Sequence, residues 1–223
     1  MISIEEHQKL LLNIARRLKE KITAYAIGGN ALMFLGIKDS TLDIDLVFEN
    51  EKDKNLFKEA LKEIGYVEMD SCVVYGRKNN PPEMLTLLNE RFDLFVEEVI
   101  DFIFSDTMRK RAVRTYQFGE NLMLKIADPH DIILMKCATE RVKDMDDVRK
   151  IMELTNIDWK VVIEEAKKQM ILGKERAAFD LGFFLEKLKK IKKDIPQKII
   201  DELFEIVKKQ AGEKRKEKAR KRQ

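Results

Sequence analysis

Residues 25–48 read YAIGGNALMFLGIKDSTLDIDLVF, and the organisation of the chain follows from them. The apolar run 24–27 ends at Gly28-Gly29, as a buried strand ends on a tight turn. Residues 30–35 have the spacing of a short helix, closed by Gly36. Residues 42–48 then alternate Asp43 and Asp45 with Leu42, Ile44 and Leu46, which predicts a second strand. Strand side chains alternate between faces, so Asp43 and Asp45 share one face while Ile44 turns to the core.

Working outward, Ser3-Ile4-Glu5-Glu6 is a capping box that opens a helix with apolar residues at Leu10, Leu11, Ile14, Ala15 and Leu18. Residues 53–64 have helical spacing and stop at Gly65, and 66–69, 72–75, 85–88 and 92–96 read as strands. Lys78-Asn79-Asn80-Pro81-Pro82 is a loop, and 113–118 with 122–126 form a hairpin around Gly119. After Asp128-Pro129 the apolar repeats fall at three and four, predicting helices over 131–141, 145–154, 159–170, 174–192 and 195–209. The expected fold class is therefore α/β (α+β): a mixed-sheet domain over 1–127, an all-helical domain over 128–212 and a basic tail over 213–223.

Composition narrows the chemistry. Of 223 residues, 44% are apolar, enough for a core, which argues against disorder as the main state. No window approaches the roughly 18 apolar residues of a membrane span, and the amphipathic, acid-bearing N-terminus does not read as a signal peptide. A cytoplasmic protein without membrane association is expected. Two cysteines, Cys72 and Cys137, cannot build a disulfide scaffold, and His7 and His130 are too few for a zinc cluster or a histidine-based triad. Metal chemistry must rest on oxygen ligands, which points to magnesium or manganese. The net charge of +3 is uneven: the tail 213–223 holds 7 Lys/Arg against 2 Glu, so the rest of the chain is slightly acidic. A solvated helix end is the ordinary explanation of such a tail; contact with a phosphate backbone is the sharper one.

Two carboxylates on one strand face repel each other unless a cation lies between them, and a divalent metal supplies it. Glycines at a helix start let a ligand approach the backbone, where free N–H groups favour phosphate. A site for a nucleoside triphosphate and a metal needs little more, since positioning and charge neutralisation provide most of the catalysis in phosphoryl and nucleotidyl transfer. Gly-Gly alone is any tight turn, and Asp-Ile-Asp alone is any half-exposed strand; their order and spacing, with Thr41 between them, set this stretch apart.

These residues resemble the DNA polymerase β-like nucleotidyltransferase superfamily, in which a strand–Gly-Gly/Ser–helix element precedes an Asp-x-Asp strand and a third carboxylate stands on a neighbouring strand. Asp128 to Lys136, followed by Arg141-Val142-Lys143-Asp144, is similar to the helical part of stand-alone bacterial and archaeal members related to toxins of abortive-infection toxin–antitoxin pairs. The resemblance spans about residues 24–150. It implies transfer of a nucleoside monophosphate from an NTP to an acceptor hydroxyl on a protein, a tRNA or a small molecule, with release of pyrophosphate. Asp43, Asp45 and Asp93 would be the catalytic residues and the ligands of Mg2+ (or Mn2+), with Asp93 helping to activate the acceptor. Gly28, Gly29 and Asn30 would cradle the triphosphate, Thr41 would support the loop before the metal strand, and Lys143 would reach phosphate. Asp93, within Arg91-Phe92-Asp93-Leu94-Phe95, also reads as a solvent-facing strand residue, and Lys143-Asp144 as an exposed ion pair at a helix turn.

Two positions depart from the family pattern. Asn30 stands where Ser is usual, and Asp39 stands two before Thr41 where Arg is usual; Lys38 and Arg77 are the cations that could replace it. These departures suit a second reading, a catalytically silent module that binds a protein or RNA partner, for example in a toxin–antitoxin pair. A third reading is RNA binding driven by the tail. The apolar C-terminal helices leave room for a homodimer.

Overall fold

The computed structural model describes residues 2–76, 78–137, 142–191 and 195–220. The chain divides into two compact units, Met1–Ile132 and Ile133–Gln223.

In the first unit the elements are β1 (Ile2–Ser3), α1 (Ile4–Ala15), β2 (Ile22–Ala26), α2 (Gly28–Phe34), β3 (Ser40–Thr41), β4 (Asp43–Phe48), α3 (Glu51–Glu63), β5 (Val67–Met69), α4 (Cys72–Tyr75), β6 (Glu83–Leu87), β7 (Glu90–Val96), β8 (Glu98–Val99), β9 (Phe102–Ile103), α5 (Asp106–Arg111), β10 (Thr115–Phe118) and β11 (Leu122–Ile126). The helices begin where polar caps stand. Ser3 and Glu6 exchange hydrogen bonds across the first turn of α1, and Asn50 accepts from the Asp53 N–H at 2.8 Å to open α3.

The main sheet is mixed, in the order β10-β11-β2-β4-β7-β6-β5, with β8 and β9 attached beside β7. β4 lies antiparallel to β2 and parallel to β7. One sheet face is apolar: Ile44, Leu46 and Phe48 of β4 and Phe92 and Leu94 of β7 are all buried. Phe57 of α3 packs its ring 5.4 Å from Phe48 and 5.7 Å from Phe92, and Tyr66 meets Phe92 edge-on. The hairpin expected at 113–126 forms as β10 and β11, paired antiparallel.

Residues 72–75, expected as a strand, form the one-turn helix α4 instead. Asp70 Oδ1 accepts the Cys72 N–H at 2.8 Å and the Ser71 carbonyl accepts from Val74 and Tyr75, so local hydrogen bonds outweigh the β preference of Val73-Val74. Val73 is 72% exposed, without the packing on which a strand depends.

α6 (Pro129–Cys137) carries the chain into the second unit, which holds α7 (Val142–Leu154), α8 (Trp159–Ile171), α9 (Ala177–Lys190) and α10 (Gln197–Arg220). Its core includes Val162, Ala166, Leu181, Phe184, Leu185, Leu188 and Leu203. The basic tail continues α10 as helix as far as Arg220. Among the described residues no helix is long and apolar enough to cross a membrane.

Candidate active site

The second face of β4 and β7 is polar where the two strands begin. Parallel pairing sets Asp43 opposite Arg91 and Asp45 opposite Asp93. Alternation then turns all four side chains to the face away from α3, because Ile44 and Phe92 between them are packed into the core. Three carboxylates and one guanidinium thus occupy two adjacent rungs of the sheet.

Arg91 joins the group. Its Nε donates to Asp93 Oδ1 at 2.9 Å and its Nη2 to Asp93 Oδ2 at 3.0 Å, while Nη2 also lies 2.6 Å from Asp43 Oδ2. Tyr75, at the end of α4, donates its hydroxyl to Asp93 Oδ2 at 2.6 Å. Asp93 is fully buried, which excludes its reading as a solvent-facing strand residue. Burial pushes its carboxyl above the usual range, against the opposing pull of Arg91 and Tyr75. The Tyr75 phenol is also pushed up, first by burial and then by the charges of Asp45 and Asp93.

The two glycines close in from α2. Gly28 has φ +59°, and a Cβ built there would stand 2.5 Å from Asp45 Oδ2. At Gly29 a Cβ would stand 2.7 Å from Thr41 Oγ1 and 3.7 Å from Lys38 Nζ. Only a residue without a side chain lets the backbone lie this close to the Asp45 carboxylate and the Thr41 hydroxyl. Thr41 is buried and donates to the Asp43 carbonyl at 3.1 Å, fixing the entry to β4. Asn30 is buried, donates Nδ2 to the Asp45 carbonyl at 3.4 Å, and leaves Oδ1 buried without a hydrogen-bond partner. The far end of α2 is held by Arg114 and Tyr116, which donate to the Phe34 carbonyl at 3.1 Å and 3.3 Å.

Gly28, Gly29, Asn30, Thr41, Asp43, Asp45 and Asp93 are therefore brought together. Lys143 belongs to the second unit, where it is exposed in the first turn of α7. Its neighbour Asp144 is buried and accepts from Lys136 Nζ at 2.9 Å, with Asp147 at 2.6 Å from the same atom, so Asp144 is a core ion-pair partner of Lys136. Arg77 and Arg141 lie outside the described residues. Sequence reading passed over Arg91 and Tyr75 as site residues. The period-two relation of Arg91 to Asp93 was available as a signal for the first, whereas nothing local pointed to Tyr75.

The donor set suits a hard divalent cation, being carboxylate oxygen throughout. Asp43 and Asp45 share the face against Gly28, which fits two ligands to such an ion. Asp93, however, has Arg91 and Tyr75 on its oxygens, and among the described residues no three Asp, Glu, His or Cys side chains converge closely enough to hold a metal together.

A family model described as "Nucleotidyltransferase of unknown function (DUF6036)" matches residues 1–193. Among solved structures, the crystal structure of ANT(2")-Ia in complex with adenylyl-2"-tobramycin is similar. It is 14% identical, the match covers 81% of this chain and 98% of that chain, and the TM-score is 0.45. No curated protein matches the chain in sequence.

Proposed function

We propose, for a chain that belongs to this family of nucleotidyltransferases, that the polar face of β4 and β7 moves a nucleoside monophosphate from an NTP to an acceptor hydroxyl. In this reaction the hydroxyl oxygen bonds to the α-phosphorus, the bond from that phosphorus to the bridging oxygen breaks, and pyrophosphate leaves. The observation that carries the reading is the approach of the Gly28 backbone to the Asp45 carboxylate, on the strand that also presents Asp43. That approach sets the start of α2 beside two carboxylates of a kind that binds divalent metal, where backbone N–H groups favour phosphate.

In this reading Asp43 and Asp45 hold a divalent cation, magnesium or manganese, with the nucleotide's own oxygens completing its shell. Such an ion, when bound, neutralises phosphate charge and polarises the α-phosphorus. Gly28 and Gly29 lie against the triphosphate, and Thr41 keeps the entry to β4 in place. Asn30 Oδ1, buried and unpartnered, supports a role in receiving a donor from a bound ligand or water. Asp93, paired with Asp45 across the two strands, takes the proton of the acceptor hydroxyl.

The test is calorimetric titration of the full chain with each of the four NTPs, with and without magnesium, beside Asp43→Ala and Asp45→Ala. Binding that needs magnesium and falls at least a hundredfold in both variants is expected. Turnover or binding that survives both substitutions overturns the reading. Absence of binding to any NTP transfers weight to a module that acts by binding a partner.

A further inference from the structure

Arg91 stands on the same face as the three carboxylates, is four-fifths buried, and spans the gap between Asp43 and Asp93. A guanidinium spreads one positive charge over a planar fork, and here two of its nitrogens grip Asp93 while one of them also reaches Asp43. Without a cation, carboxylates on adjacent rungs repel each other in a partly dry site. Arg91 supplies that cation from within the fold. The position is dictated by register: β7 places residue 91 beside residue 43, and Phe92, buried under α3, prevents Arg91 from turning to the other face.

The same contact sets a conflict. Asp43 Oδ2 has the guanidinium 2.6 Å away, and an oxygen so engaged is a poor ligand for a second, doubly charged cation brought within bonding range. Arg91 has to release Asp43 before that oxygen can serve a metal. Its fork can stay on Asp93 or turn to another anion of matching shape, and a phosphate offers two oxygens at the spacing of a carboxylate.

We propose that Arg91 is a built-in counter-cation that competes with the divalent metal for Asp43 and is drawn off by the triphosphate, so that metal and nucleotide bind tightly only together. The inference rests on the nucleotidyltransferase reading of this face. It makes Arg91 a positioning residue that acts through Asp43 and Asp93, and it predicts weak metal binding by the protein alone. It further predicts that Arg91 adds to the coupling between metal and NTP beyond what the direct metal–phosphate bonds supply.

The experiment titrates manganese into the full chain without nucleotide, and then NTP in the presence of manganese, for the wild type, Arg91→Met and Arg91→Lys. Arg91→Met, which keeps much of the side chain's length and removes the charge, is expected to bind manganese alone at least tenfold more tightly and NTP about tenfold more weakly. The factor by which NTP raises manganese affinity should therefore fall at least tenfold, to what the direct metal–phosphate bonds supply. Arg91→Lys keeps a charge and loses the fork: manganese affinity should stay within threefold of wild type while NTP binding weakens severalfold. Should Arg91→Met fail to give the wild-type far-ultraviolet circular dichroism, the Lys variant decides. Unchanged or weaker manganese binding in a folded Arg91→Met protein overturns the proposal, as does unchanged NTP affinity in Arg91→Lys. A wild type that binds neither manganese nor NTP overturns instead the reading of the whole face, and the two failures are thereby distinguished.

Discussion

Three glycine substitutions separate backbone strain from steric displacement of the candidate ligands. Gly28 has φ +59° and its added Cβ would stand 2.5 Å from Asp45 Oδ2; Gly36, two residues beyond α2, has φ +73° and nothing within 4 Å; Gly29 has no positive φ, yet its Cβ would stand 2.7 Å from Thr41 Oγ1. A left-handed conformation costs an L-residue about 1–2 kcal/mol, so Gly36→Ala should lose that much stability and nothing else. Gly28→Ala carries the same strain and a collision besides. To reach an ordinary contact of 3.4 Å, the Asp45 carboxylate must retreat by about 0.9 Å. Displacing a metal ligand or its support by this order of distance weakens metal binding about 10- to 100-fold. Gly29→Ala lacks the strain but moves the buried Thr41 hydroxyl by about 0.7 Å, and should weaken metal–NTP binding about tenfold with a packing cost of about 1–3 kcal/mol. Guanidinium denaturation gives the stabilities, and calorimetry with magnesium and NTP gives the affinities. Gly28→Ala should lose at least as much stability as Gly36→Ala in the first measurement and differ from it in the second. If Gly28→Ala binds metal and nucleotide as well as Gly36→Ala does, the glycine is present for the turn alone, and its link to the carboxylate is refuted.

Other residues yield separate tests. His7 is buried against Phe34 with both ring nitrogens unpartnered, and burial lowers its pKa to about 4 from the ordinary 6.5. As pH falls through this window the unfolded chain takes the proton first, so stability should decline between about pH 6.5 and 4 by up to about 3 kcal/mol and level off below. His7→Leu should remove this acid sensitivity, as read from denaturation midpoints at half-unit pH steps; an unchanged slope would sink the assignment. Tyr75→Phe removes a donor to a buried carboxylate, for a loss of about 1.5–3 kcal/mol. The phenol's hydrogen bond lowers the Asp93 pKa, so its removal should move the acidic limb of the pH–rate profile upward; a limb that stays put would separate Asp93 from the chemistry.

The legible part of this molecule was the local part. The turn at Gly28-Gly29, the alternation that pairs Asp43 with Asp45 and the capping box at Ser3 each lie within a few residues, where dihedral preference and period decide the outcome. His7 was also within reach, since residues 7, 11, 14 and 15 make up the buried stripe of α1. The Asp93 pattern was visible but its burial was not, because the neighbours that cover it, Arg91 and Tyr75, gain their meaning only when strands 48 residues apart in sequence pair. Tyr75 was hidden for a second reason: Asp70 supplies a hydrogen bond that converts an apparent strand into a helical turn and carries the phenol to the site.

The same pairing explains why the site's geometry depends on residues that never touch it. A slip of β7 by one residue against β4 would reverse every side chain of β7, sending Arg91 and Asp93 towards Phe57 and turning Phe92 to the polar face. Such a slip would bury charge and expose an aromatic ring, each worth several kcal/mol. The packing of Phe48, Phe57, Phe92 and Leu94 on the far face is thus what fixes Arg91 beside Asp43 and Asp93 beside Asp45. The apolar side of the sheet positions the chemistry of the polar side.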